Sequence, residues 1–290
     1  HLPGASSASD QKGRGGHMMW KGFVKLILTI FVALFGLTLF ILPLAWIFIA
    51  AFQVKPGMGL GLEPLTLSNF YSILAERVDI PMSLINSLII AGISTILTTV
   101  VGSLAAYGFS RSKFPHADAL LFPILLFSTL PLAIIIVPIY SESLLFNIQD
   151  TMLAVILFMA ALSTPFTIIL LKGFVDEIPT DYEDAAMVDG ASQVKAFFAI
   201  DLPLMKNGIF VVSLLSFAGA WGNFFLPLIL IMSEEKLPAA CKLFTLYSQY
   251  GGVDLGQVAA FAIIYAMPLL VIYFFLGKYL GTTVASGIKG

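Results

Sequence analysis

Apolar runs of close to 20 residues recur along this chain, and they restrict its fold more than any other feature. Six stand out, roughly 26–51, 84–107, 118–140, 152–171, 208–232 and 257–277. About 20 apolar residues in a helix cross about 30 Å of hydrocarbon. Within hydrocarbon every backbone N–H and C=O must be paired inside the segment or in a closed barrel. These runs do not alternate as barrel strands do, so an all-α membrane protein of six transmembrane helices is expected. The composition agrees: 59% of residues are hydrophobic and 11% charged, against about 25% charged in a soluble domain. The net charge of -2 comes with no basic patch or RNA-binding motif, so no nucleic-acid partner is expected. The single cysteine, Cys241, excludes an intrachain disulfide and reads as a small apolar filler.

Residues 1–17 are rich in Gly and Ser and read as an expression-tag or linker remnant, with the membrane domain spanning 18–290. Lys and Arg distribution sets the expected orientation. With the N-terminus inside, Lys21, Lys25, Arg111, Lys113, Lys172, Lys195, Lys206, Lys278 and Lys289 fall inside. Lys55, Arg77, Lys236 and Lys242 fall outside. The bias places both termini in the cytoplasm of a multi-pass cell-membrane (plasma or inner-membrane) protein.

Within the second run, Ser87, Ala91, Thr95, Thr99 and Ser103 recur at i+4, a ridge of small residues that lets helix backbones approach. Pro123, Pro131, Pro138, Pro165, Pro227 and Pro268 lie inside the last four runs, where kinks are expected. No ionisable residue lies in the centre of any run, which argues against a proton- or ion-driven carrier. No HExxH metal motif and no GxxxxGK[ST] phosphate loop occur. If the chain moves something uphill, another polypeptide must supply the energy, and some cytoplasmic surface of this chain should receive it.

Residues 173–206 offer that surface. Thr180 with Glu183 matches a capping box opening one short helix, and Gly190 suits its C′ position at φ > 0. Ser192 caps a second short helix, with Val194, Phe197 and Phe198 on one face and Pro203 limiting its end. The acidic first half, with Asp176, Glu177, Asp181, Glu183, Asp184 and Asp189, disfavours anionic lipid and favours a protein partner.

This segment resembles the EAA loop of importer-type ABC transporter permeases, E-A-A-x3-G-x9-I-x-L-P. Asp184, Ala185, Ala186, Gly190, Ile200, Leu202 and Pro203 keep every spacing, and Asp189 to Ala191 form the DGA that accompanies it. Asp184 stands where Glu is usual and Glu183 precedes it, so which carboxylate meets the partner is open. "AAYGFSRSKFP" (105–115), "WGNFFLPL" (221–228) and "SGIKG" (286–290) are similar to stretches of the carbohydrate-uptake subfamily. In these the chain resembles the smaller membrane subunit of maltose-type importers.

The resemblance implies a transport subunit without its own ATPase site. It implies a heterodimer with a second permease, two ABC ATPase subunits and an extracytoplasmic solute-binding protein. ATP and Mg would bind the ATPases, and this chain would hold no cofactor or metal. Glu183 and Asp184 would pair with a basic group on an ATPase, Ala185 and Ala186 would permit close approach, Gly190 would make the bend, and Phe197 and Phe198 would anchor the second helix. The external loop 233–255, with Leu243, Phe244, Tyr247 and Tyr250, would contact the solute-binding protein.

A sugar pathway needs aromatic faces and neutral hydrogen-bonding groups. Asn86, Tyr140, Trp221 and Asn223 are the candidates, with interhelical bonding or packing as their alternative uses. Two other functions stay in view: a permease for a non-sugar solute such as a polyamine or phosphonate, and a membrane enzyme or assembly scaffold.

Overall fold

The computed structural model describes residues 7–54, 56, 64–111, 117–249 and 254–287, without the side chains of 7–21, 117–118, 247–249 and 276–287. Lys55, Lys113, Lys289 and Tyr250, and the last three residues of the closing motif, lie outside this set. The described chain is helical: α1 (Ser7–Ala51), α2 (Ser68–Tyr71), α3 (Asp79–Arg111), α4 (Ala117–Ser128), α5 (Leu132–Leu145) and α6 (Met152–Asp176) come first. They are followed by α7 (Asp181–Val188), α8 (Gln193–Ala196), α9 (Leu202–Leu204), α10 (Lys206–Gly222), α11 (Phe225–Leu230), α12 (Ala239–Gln249) and α13 (Leu255–Gly287). Four described helices are long and apolar enough to cross a membrane: Gly22–Ala51, Asp79–Arg111, Met152–Asp176 and Leu255–Phe275. The number reaches six if α4 with α5, and Gln193–Leu204 with α10, each count as one bent span.

α1 runs back to Ser7, into the stretch 1–17 set aside above. The segment after Pro3 lacks proline, and extending an existing helix costs far less than nucleating one.

Two of the expected spans are not single kinked helices. The run 118–140 is broken into α4 and α5, which meet at 95°. Pro131 has no N–H to donate and disfavours helical backbone at Leu130 before it. The hydroxyls of Ser128 and Thr129 turn back onto the carbonyls of Leu125 and Leu126, at 2.7 and 2.8 Å. The run 208–232 ends its continuous helix at Gly222. There Asn223 becomes extended (ψ 117°) and its Oδ1 accepts the Leu226 N–H at 3.1 Å, opening α11.

α3 is the centre of the bundle, and two ridges of small residues make it so. Lipid tails are as apolar as leucine, so helices in a bilayer associate by close packing and hydrogen bonds rather than by burial from water. Toward α6, Ser94 Oγ donates to Ile156 O at 3.3 Å and Thr98 Oγ1 to Ala160 O at 3.4 Å. One turn on, Gly102 lies so close to Thr167 that a Cβ would collide with its methyl. The ridge expected from the sequence faces elsewhere: Thr99 Oγ1 meets Ser213 Oγ of α10 at 3.2 Å, and Ser87 Oγ accepts the Ala239 N–H of α12 at 2.8 Å. Its packing role is therefore borne out, and Ser94, Thr98 and Gly102 form a second ridge beside it.

Three apolar clusters follow this frame. One joins α3, α5, α6, α10, α11 and α12 around Trp221, Met159, Leu226 and Cys241. A second binds the ends of α1 and α13 through Ala51, Ile80 and Phe261. There Asn69 is buried and its Nδ2 satisfies the terminal carbonyls of Ala51 and Gln53 at 3.0 and 2.9 Å. The third packs Tyr107, Leu171, Phe197 and Met205 at the Arg111 end of α3.

Gly102→Leu should force α3 from α6 and destabilise the protein by about 1–3 kcal/mol, as overpacking does. Thermal unfolding in detergent measures this. Gly92→Ala, where an added Cβ meets nothing within 4 Å, should not lower the midpoint, since Ala also favours helix over Gly.

Candidate functional site

The paired short helices form at the Arg111 end of α3. α7 ends in a Schellman motif: the Ala191 N–H reaches Ala186 O at 2.9 Å and the Gly190 N–H reaches Met187 O at 3.0 Å. Gly190 has φ +87°, as expected, and open space where its Cβ would be. A side chain here would strain the backbone and clash with nothing. Ser192 caps α8 by accepting the Lys195 N–H at 3.3 Å, also as expected.

The capping box does not form. Thr180 is the N-cap of α7 but makes no side-chain bond to it. Glu183 points inward instead, 5% exposed, and takes a hydrogen bond from Tyr107 Oη at 2.9 Å and an ion pair from Arg111 Nε. A charged donor outcompetes a neutral N–H for a carboxylate. Glu183 is thus committed within the chain and does not face outward, while Asp184 beside it is exposed.

Arg111 gathers the site. Its Nη2 donates to Ile178 O at 2.7 Å and lies 3.6 Å from Asp201 Oδ1. Asp201 is fully buried, and neither of its carboxylate oxygens has a hydrogen-bond partner. Two buried carboxylates therefore share one guanidinium. Asp201 lies in the polar connector outside the apolar runs. Burial first, and the Glu183 charge second, push its carboxyl up to about 6. Removing Arg111 would leave both acids without a counter-charge, a change that typically costs about 3–5 kcal/mol.

Phe197 and Phe198 open the π turn Phe197–Asp201 with their rings edge to face at 5.0 Å, yet they differ in exposure. Phe197 is buried with its ring 4.8 Å from that of Tyr107, whereas Phe198 and Val194 are exposed together. Phe197 therefore anchors the connector inside its own chain. Pro203 sits within α9, and the helical stretch ends one residue after it, at Leu204, before the 76° bend. Asp189 is the C-cap of α7, and Ala185 and Ala186 lie within it.

The four pathway candidates are not brought together as a ligand site. Asn86 is buried and donates to the carbonyls of Glu235 and Leu237, at 2.8 and 3.2 Å. Trp221 is 1% exposed, stacked between Phe217 and Tyr265, with Nε1 donating to Tyr265 O at 3.1 Å and Tyr265 Oη donating to Trp221 O at 2.6 Å. Asn223 bonds its own following turn rather than a neighbouring helix. Tyr140 is half-buried against the Trp221 cluster. The Asn86 Nδ2 and Trp221 Nε1 donors are taken by backbone carbonyls, and the Trp221 ring faces by Phe217 and Tyr265.

At the Asp79 end, a second polar cluster was not foreseen. Asp150 (φ 56°) accepts the N–H groups of Met232 and Ser233 at 2.9 and 2.8 Å, the Ser233 hydroxyl, and Lys236 Nζ at 2.9 Å. The Ser233 donors, with Lys236, hold the Asp150 carboxyl far below the usual carboxylate range. Lys242 joins Asp79 and Glu234, at 3.2 and 3.3 Å. The segment from Met232 to Lys242 is thereby fastened to α3 and to the α5–α6 connector. α12 forms where aromatic spacing suggested a helix, with Phe244 exposed.

A bundle of long apolar helices with a bent pair of short helices locked to its central member defines a multi-pass membrane transport component. Residues 98–286 match the family described as binding-protein-dependent transport system inner membrane component, and the chain belongs to that family. It is 32% identical, over 86% of its length and 93% of the relative's, to the trehalose transport system permease protein SugB of Mycobacterium tuberculosis. It is 28% identical to the trehalose/maltose transport system permease protein MalG of Thermococcus litoralis, over 92% and 98% of the two chains. The fold is shared with a crystal structure of a bacterial ABC transporter involved in import of the polysaccharide alginate. That match has a TM-score of 0.75 at 19% identity and covers 96% of this chain and 99% of that one.

The buried acid gives a pH test. A carboxyl raised to about 6 binds its proton more tightly in the folded state than in the unfolded one. Its ionised form opposes folding above that pH, and the penalty fades as pH falls through about 6. Asp201→Asn should raise the thermal midpoint in detergent at pH 7.5, raise it less at pH 5, and leave it unchanged only below the unfolded value of 3.8. A lowered midpoint at pH 7.5 contradicts the assignment.

Proposed function

We propose that this chain is the permease subunit of an ATP-driven importer for a carbohydrate, with six spans and both termini in the cytoplasm. The single observation that carries the coupling role is the bent helix pair at the Arg111 end, with Asp184, Val188, Val194 and Phe198 exposed around the positive-φ glycine. On this reading the pair docks in a cleft of an ABC ATPase. Asp184 supplies the outward carboxylate, since Glu183 is occupied by Arg111 and Tyr107. A second permease completes the pore, and ATP and Mg bind the ATPases. A solute-binding protein delivers substrate to the opposite face, where α12 presents Phe244. The carbohydrate class is supported by the named functions of the trehalose and trehalose/maltose relatives.

Gly190→Leu tests the coupling. Because the space is open, the cost is backbone strain of about 1–2 kcal/mol, and membrane insertion should be normal. ATPase copurification should weaken, and uptake of radiolabelled trehalose or maltose through the assembled transporter should fall steeply. Asp184→Ala should act more mildly, since a partly exposed pair is worth about 0–1 kcal/mol. Full uptake by Gly190→Leu would contradict the role of the bend. ATP hydrolysis stimulated only by a non-sugar binding protein would contradict the substrate class.

A further inference from the structure

We propose that α3 is a rigid rod carrying motion from the α7–α8 bend to the segment 232–242 at the other end of the bundle, with Arg111 as the positioning residue that fastens the bend to it. The inference rests on the coupling role proposed above. Two physical routes lead from the bend into the bundle. The covalent route passes through the π turn at Phe197–Asp201 and the 76° bend into α10. It meets a further break at Asn223 before reaching 232–242. Each of these is a point where a helix yields rather than pushes.

The route through Arg111 has no such joint. Arg111 holds Glu183 of α7 and the Ile178 carbonyl directly, and faces Asp201 at 3.6 Å. It is the last residue of α3, a helix of 33 residues that spans about 50 Å at 1.5 Å per residue. The one proline of α3, Pro81, lies in its first turn, where no helical bond is lost. Its middle is gripped by α6 and α10 through Ser94, Thr98, Gly102 and Thr99. Its far end holds the other segment: Asn86 takes the Glu235 and Leu237 carbonyls, Ser87 the Ala239 N–H, and Asp79 the Lys242 ammonium. A displacement of α7 then reaches 232–242 through α3, past the break in α10. Close-packed elements transmit such displacement because they rearrange as units rather than deform.

The test uses the full transporter in lipid nanodiscs. Amide hydrogen exchange across 232–242 is measured with and without Mg and the non-hydrolysable nucleotide AMP-PNP. The wild-type complex should show a nucleotide-dependent change there. Arg111→Ala, with the ATPase still copurifying, should lose it. Lys172→Ala, which removes a partly exposed ion pair to Asp176 on α6, should keep it. Arg111→Lys retains the charge but not the fork that reaches Glu183 and Ile178 together, so its response should be reduced. It carries the test if Arg111→Ala fails to assemble. An undiminished change in either Arg111 variant overturns the proposal, as does a wild-type change confined to 176–204. A wild-type chain that brings down no ATPase refutes the coupling role instead, and is seen before any variant is made.

Discussion

One buried guanidinium, shared between two carboxylates and a carbonyl, decides how the polar end of this apolar bundle is built. Without Arg111, Glu183 would be free to cap its own helix and Asp201 would have no reason to be buried. With it, α7, the Ile178 turn and the π turn are drawn onto the last turn of α3. The arrangement keeps one negative charge too many, and the orphaned oxygens of Asp201 show where the excess is borne. A site tuned for stability alone would place an amide there.

Close helix approach makes that joint consequential. Because α3 touches α6 and α10 through glycine, serine and threonine, a displacement at one end has no soft layer of side chains to absorb it. The polar contacts at the Asp79 end repeat the same device with opposite partners. There, backbone N–H and C=O groups of 232–242 are met by Asn86, Ser87 and Asp150.

The sequence disclosed what depends on local pattern. Apolar run length located the helices, and Gly190 was legible because only a residue tolerant of φ > 0 closes a Schellman motif there. The small-residue ridge was legible because its i+4 spacing lies within one helix. What it concealed depends on partners far away in the chain. Asn86 bonds residues 149 and 151 positions on, and Glu183 pairs across 72 positions. Polar groups among apolar neighbours therefore resembled pathway residues when they were satisfying backbone. Phe197 and Phe198 share a face as their spacing implied, but Tyr107, far back in the chain, buries only Phe197. Proline positions marked where helices could bend, but a 95° break as against a mild kink was settled by what Ser128 and Thr129 could cap.

The most direct measurement is a pair of distances by pulsed electron resonance in the assembled transporter. Spin labels are placed at exposed Val188 on α7 and at exposed Leu104 on α3, and separately at Val188 and exposed Leu215 on α10. Cys241 is buried and does not compete for label. If Arg111 makes α7 and α3 one body, the Val188–Leu104 distance stays constant when nucleotide binds, and the Val188–Leu215 distance reports whether α10, packed on α3, moves with them. A Val188–Leu104 distance that shifts when nucleotide binds would show that α7 moves independently of α3.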